Sequence, residues 1–267
     1  MLPLQDLQNA VTRALGAHKD VSLRLFDTVD STNSEAKRQA TIEGGTTLYI
    51  ARTQSGGRGR LGRDFHSPAD TGLYMTLAYT TNLPLTEAVR TTALAAVATA
   101  SAMEALTPKR PRIKWVNDLY LDGGKAAGIL TEAVTLGEGQ TRMLVGIGIN
   151  LTTTAFPDGL RAPAASLFTP DEASDIPADF AGTLAGEITR RLLALLKNET
   201  MPDGESCLDF YRRHLLYVGE QVTCTRGSET FTATVLGVTD AYALIVECAE
   251  VVRVLESGEI SIRPVMQ

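Results

Sequence analysis

Residues 55–68, SGGRGRLGRDFHSP, thread three arginines, Arg58, Arg60 and Arg63, among four glycines. Guanidinium groups donate paired, charge-assisted hydrogen bonds to carboxylate and phosphate oxygens, at about 1.5–3 kcal/mol per bond. Glycine lets the backbone come close to whatever is bound. Gly57, Gly59 and Gly62 also spell G-x-G-x-x-G, and Gly57 with Gly62 gives the outer frame of a P-loop. A dinucleotide site needs a helix directly after the last glycine, whereas RDFHSP follows Gly62; a P-loop needs Lys-Ser/Thr where Arg63-Asp64 stand. Neither frame holds. Two readings stay open: an arginine clamp for a small anion, disordered when empty and closing over its ligand, or a solvated basic loop.

A second constellation joins Lys114, Trp115, Asn117 and Asp118 to Lys125 and Gly128 across the turn Asp122-Gly123-Gly124. Adjacent strand ends would bring the Asp118 carboxylate and the Lys125 ammonium to one pocket, although a structural ion pair is the commoner meaning of such a couple. Cys207, Cys224 and Cys248 form no C-x-x-C and are odd in number, so neither a disulfide framework nor a thiolate metal site is expected. His18, His66 and His214 are too scattered for a metal cage.

These residues sit in a chain of 267 residues, long enough for one large domain and a small one. With 44% hydrophobic and 21% charged residues, wholesale disorder is not expected. A net charge of −6 argues against a protein whose main task is gripping nucleic-acid backbone. No secretory signal and no apolar run of about 20 residues is seen, which predicts a soluble, cytoplasmic protein without a membrane partner.

Leu4, Leu7, Val11 and Leu15 recur at helical spacing up to Gly16. VSLRLFDTV (21–29) alternates as a strand, and Thr32 with Glu35 fits a capping box for a helix that stops at Gly44 and Gly45. TTLYIART and GLYMTLAYT read as strands flanking the arginine loop, before an Ala-rich helix over 86–107. RIKWVNDLYL, KAAGILTEAVTL and TRMLVGIGINL read as three antiparallel strands, 152–176 as an irregular surface stretch, and 179–198 and 205–216 as helices. From Gly219, five short alternating segments suggest a small barrel. The expected fold class is α+β: a mixed, largely antiparallel sheet with helices over 1–218, then a small β-barrel over 219–267.

DSTN (30–33), TQSGGRGRLGRDFHSP (53–68), LYMT (73–76), KWVNDLYLDGGKAAGIL (114–130) and GIGIN (146–150), in that order, resemble the biotin protein ligases, or biotin-[acetyl-CoA-carboxylase] ligases. The resemblance implies a class II synthetase-like catalytic domain and an SH3-like C-terminal domain. It implies an enzyme that uses ATP and Mg²⁺ to convert biotin to biotinyl-5'-AMP, then passes the biotinyl group to one lysine of a biotin carboxyl carrier protein. Ser31, Thr32, Asn33 and Gln54 would take biotin's ureido head. Arg58, Gly59 and Arg60 would wrap the carboxylate and phosphate, with Arg60 retaining the adenylate. Lys125 would bind carboxylate and α-phosphate oxygens, and Gly128 would let the ligand approach the sheet. Arg63, Phe65 and Asn150 would complete the nucleotide side.

Lys125, Arg60 and Asp118 are thus the implied catalytic residues. Asp118 would orient or deprotonate the acceptor lysine or help hold the metal, whose ligands are otherwise unassigned. Val116, Phe65 and Ala243 depart from the proline, tryptophan and glycine usual at those places. The roughly 20 residues before the first core strand are too few for a helix-turn-helix domain, so no nucleic-acid partner is expected; a homodimer stays open. The rival readings are a lipoate or octanoate protein ligase, which resembles biotin ligases in fold and adenylate chemistry, and a nucleic-acid-binding regulator. The arginine-glycine loop and the barrel favour biotin.

Overall fold

A computed structural model describes residues 3–137, 139–160, 162–226, 228–256 and 260–264. Its main sheet contains β1 (Val21–Val29), β2 (Thr46–Gln54), β3 (Gly72–Thr81), β4 (Arg112–Lys114), β5 (Asp118–Leu121), β6 (Gly124–Thr135) and β7 (Thr141–Asn150). The spatial order is β1-β2-β3-β7-β6-β5-β4. Only the β1–β2 pair among these is parallel, joined by the crossover helix α2 (Thr32–Gln39). The mixed, largely antiparallel α+β architecture is the expected one.

Helices α1 (Leu4–Leu15), α3 (Ala88–Leu106), α4 (Phe180–Asn198) and α5 (Cys207–His214) gather with the inward-facing strand residues into the main core. Helix α1 buries Leu7, Ala10, Val11 and Leu15 and stops at Gly16, whose φ of 60° suits glycine. It crosses α4 closely because a Cβ on Gly182 or Gly186 would stand 2.6 Å from the methyl group of Ala10 or Ala14. Helix α3 is buried on nearly every side, and its alanines and threonines leave room for the sheet and α4 at once. On the opposite sheet face, Ala36 of α2 meets Tyr49, Ala78 and Leu144. Alternation along each strand sends neighbours such as Leu48 and Ile50 to the main core.

Several local expectations are corrected. Ser31, not Thr32, is the N-cap of α2, and the Thr32 hydroxyl faces Gln54 and Thr76 instead of capping the helix. The helix ends at Gln39, short of Gly44 and Gly45. RIKWVNDLYL is two strands, because the chain folds back at Trp115-Val116-Asn117 to pair Lys114 with Asp118. The Trp115–Val116 peptide is cis. The described residues of 152–176 are irregular apart from a 3-10 turn over Pro170–Asp175, yet the stretch is not all surface: Leu167 is buried, and Pro163 and Ala165 hydrogen-bond the backbone of Lys125.

The second sheet consists of β8 (Gln221–Arg226), β9 (Glu229–Val238), β10 (Leu244–Cys248), β11 (Val251–Leu255) and β12 (Ile260–Pro264), antiparallel in the order β11-β10-β9-β8-β12. The segment read as EISIRPV extends at both ends outside the described residues. Trp115 Nε1 donates to Tyr242 O at 2.8 Å, and the Tyr211 ring meets Tyr242 edge-on at 5.2 Å. Positive φ in this turn falls on Tyr242, at 61°, so Ala243 needs no glycine-like backbone. Cys207 and Cys224 are buried, and burial pushes the Cys207 thiol up to about 12.

Candidate active site

The residues singled out in the two constellations converge on the α2 side of the main sheet, around a cleft of about 450 Å³ with the solvent at its mouth included. Ser31, Thr32 and Asn33 enter from the start of α2 and Gln54 from the end of β2. The sheet contributes three glycines to the lining here. Gly128 of β6 lies opposite Gly148 of β7, and Leu130 opposite Gly146. A Cβ on Gly148 would stand 2.6 Å from the Phe65 ring, and one on Gly128 2.9 Å from Lys125 Nζ. These glycines are required for close approach to the sheet.

The polar floor is a connected network. Thr32 N donates to Gln54 Oε1 at 2.8 Å, Gln54 Nε2 to Ser67 Oγ at 2.9 Å, and Ser67 Oγ to Phe65 O at 2.9 Å. Thr76 Oγ1 lies 2.8 Å from Thr32 Oγ1 and donates to Asn33 Oδ1 at 2.6 Å. Ser31, Thr32, Asn33 and Thr76 are buried, so their rotamers are held before any ligand arrives.

Above this floor the arginine loop is a small hairpin. Phe65 N donates to Gly57 O at 2.9 Å and Gly59 N to Arg63 O at 2.7 Å, while Arg60–Gly62 makes one tight 3-10 turn. No helix follows Gly62, which removes the dinucleotide frame on structural grounds. Arg60 Nη1 donates to Asn117 Oδ1 at 3.0 Å, and Asn117 is fixed in turn by Nδ2 donating to Ile129 O at 2.9 Å. Burial pulls the Arg60 guanidinium below its usual range and Arg63 adds to this, with the charge of Asp118 opposing both. Arg58 Nη1 donates to Glu132 Oε2 at 3.1 Å.

Lys125 completes the cationic rim. Its Nζ lies 2.7 Å from Asp118 Oδ1 and 6.0 Å from the centre of the Phe65 ring, so ion pair and cleft coexist in one arrangement. Its backbone is gripped by Pro163 O, by Ala165 N and by Asn150 Nδ2.

Of the residues expected at a site, Ser31, Thr32, Asn33, Gln54, Arg58, Gly59, Arg60, Phe65, Lys125 and Gly128 line the cleft. Asp118 stands behind Lys125. Arg63 does not line it; it is exposed on the outer arm of the hairpin. Asn150 is buried with its amide donating to Ala165 O at 3.0 Å, a buttress for the Lys125 backbone. Asn117, Thr76, Gly146 and Gly148 were present in the quoted motifs without a role, whereas Glu132 carried no signal. Among the described residues no group of three His, Cys, Asp or Glu side chains converges as a metal site, and no helix is long and apolar enough to cross a membrane.

Known proteins resemble this chain in sequence and fold. Residues 25–150 match the family model described as Biotin/lipoate A/B protein ligase family, and residues 217–263 match Biotin protein ligase C terminal domain. The chain is 32% identical over 259 residues to the bifunctional ligase/repressor BirA of Bacillus spizizenii, spanning 94% of this chain and 76% of that protein. It is 41% identical over 128 residues to the biotin--[acetyl-CoA-carboxylase] ligase of Paracoccus denitrificans, spanning 46% of this chain and 51% of that one. The structure of the biotin protein ligase from Aquifex aeolicus in complex with biotin and ATP superposes with a TM-score of 0.70 at 26% identity, covering 91% of this chain and 99% of that chain. The chain belongs to the biotin/lipoate A/B protein ligase family, and its C-terminal match sets it among the biotin protein ligases.

Proposed function

We propose that the chain activates biotin with ATP to biotinyl-5'-AMP, releasing pyrophosphate, and transfers the biotinyl group to a lysine amine of a carrier protein, releasing AMP. The observation that carries this reading is the convergence of Lys125, Arg58 and Arg60 over a rigid polar floor. Attack of a carboxylate on an α-phosphate brings two anions together. Prearranged cations at that point stabilise the developing charge without having to reorganise. Lys125, stationed by Asp118 and by its clamped backbone, suits the oxygens of both groups. Arg60, held by Asn117, suits the phosphate of the product and its retention. The loop above them would keep the mixed anhydride from water until the acceptor amine attacks its carbonyl.

Asn33 supports biotin over lipoate as the acid. Its Oδ1 retains acceptor capacity towards a ureido N–H, and a dithiolane ring has no such donor. Mg²⁺ fits as an ion carried by the ATP phosphates, since the nearby carboxylates are already paired, Asp118 with Lys125 and Glu132 with Arg58. When bound it would offset phosphate charge. The division at 218/219 belongs to the same proposal and is supported by the C-terminal family match at 217–263. A cytoplasmic setting, where carrier and ATP meet, is part of it too.

Incubation with labelled biotin or lipoate, ATP, Mg²⁺ and an apo carrier domain tests the assignment. Biotin should label one carrier lysine; transfer from lipoate and none from biotin would overturn the reading.

A further inference from the structure

Glu132 of β6 contacts two residues that line the cleft, Asn33 and Arg58, and has no part in the chemistry derived above. Its carboxylate is largely covered, with 17% of the side chain exposed. Oε2 accepts from Asn33 Nδ2 at 3.1 Å and from Arg58 Nη1 at 3.1 Å, and Lys37 Nζ lies 3.8 Å from Oε1. One carboxylate therefore touches both the floor and the loop.

The consequence for Asn33 follows from counting its hydrogen-bonding groups. A primary amide has two N–H donors and two acceptor lone pairs. One donor goes to Glu132 and the other to Leu130 O at 3.2 Å, while Thr76 donates to Oδ1. The capacity that remains is a lone pair on Oδ1. Turning the amide over would set Oδ1 against the Glu132 carboxylate and the Leu130 carbonyl, and would present N–H groups to a hydroxyl now pointing at them. The Glu132 oxygen, together with Leu130 O and the Thr76 hydroxyl, thus fixes which chemical group Asn33 can show a ligand.

We infer that Glu132 is a positioning residue coupling the subsite for the ligand's head to the arginine loop. Through Asn33 it selects a head group that carries N–H donors. Through Arg58 it holds the loop hairpin over the cleft. The inference rests on the biotin reading above, in which the head is a cyclic urea.

Two variants of the full chain separate the two arms. E132Q keeps an amide oxygen for Asn33 but removes the charge paired with Arg58; E132A removes both. With wild-type protein as reference, E132A should raise KM for biotin about tenfold and leave KM for ATP within about twofold. E132Q should keep KM for biotin within about threefold yet release preformed biotinyl-5'-AMP about tenfold faster. Adding R58A to E132Q should accelerate release by less than the product of the two single effects, because both substitutions break the Arg58–Glu132 contact while R58A also removes a ligand contact. Unchanged biotin KM in a folded E132A, or additive release effects of E132Q and R58A, would overturn the role of Glu132 alone. A wild-type chain that makes no biotinyl-5'-AMP would overturn both this inference and the functional reading.

Discussion

Arg60 is a test of how much one side chain does. It is half-buried, oriented by Asn117 and placed on the loop side of the cleft rather than on the sheet. Arg60→Gly should shorten retention of the adenylate by roughly ten- to a hundredfold, the worth of one charge-assisted contact. Mass spectrometry of bystander proteins should then find labelled lysines outside the carrier; unaltered selectivity would show that Arg60 does not govern release. Gly148→Ala probes the floor differently, because its methyl group would meet the Phe65 ring. Turnover should fall about tenfold while Tm moves by only a few degrees, since a ring can shift more cheaply than a strand. Asp30, next to the floor residues, is hydrogen-bonded by both terminal guanidinium nitrogens of Arg38, which hold its carboxyl at about 2 against an ordinary 3.8. Its pKa is lowered on folding, so the stabilisation is complete above pH 3.8 and is lost as pH falls through about 2. The pair is exposed, so the effect is small. Thermal melts of wild type and D30N should differ above pH 4 and converge near pH 2.

Among the elements, the crossing of α1 and α4 depends on two absent side chains. Gly186→Ala would force a methyl group to 2.6 Å from Ala14 and 2.7 Å from Val11 O, both on a packed helix. About 1–3 kcal/mol of destabilisation is expected, visible as a lower midpoint in urea, with catalysis per folded molecule unchanged. Elements with a clear period were legible from sequence: β1 occupies the expected 21–29, and α1 runs from Leu4 to Leu15 before Gly16. What failed was decided by distant partners. Thr32 carries the letters of a cap, but tertiary contacts with Gln54 and Thr76 claim its hydroxyl. The fold-back between β4 and β5 is invisible in a strand-like segment because the residue that anchors it, Tyr242, is 127 positions from Trp115. Glu132 was hidden for a related reason: a single acid in a strand gains meaning only when Asn33 and Arg58 are brought to it.

For the molecule as a whole, the two sheets share a route to the cleft. Tyr242 O holds Trp115, the fold-back carries Asn117, and Asn117 holds Arg60. Trp115→Phe removes the indole N–H and should cost about 1 kcal/mol of stability, read by chemical denaturation. It should also raise the adenylate release rate, because the bond lost lies at the far end of that route. Equal release in W115F and wild type would show that the second sheet supports stability alone.

The hairpin over the cleft sets a further condition. Its two arms are bonded to each other at Gly57–Phe65 and Gly59–Arg63, while Ser55 and Gly56 are bonded to the backbone of Val29 and Asp30. These bonds predict motion concentrated where the arms leave the anchors, with the hairpin swinging as a paddle instead of unravelling. Arg58 and Arg60 ride on the same paddle. A bound acyl adenylate is then gripped by both or by neither, and its escape in a stopped-flow chase should follow a single exponential.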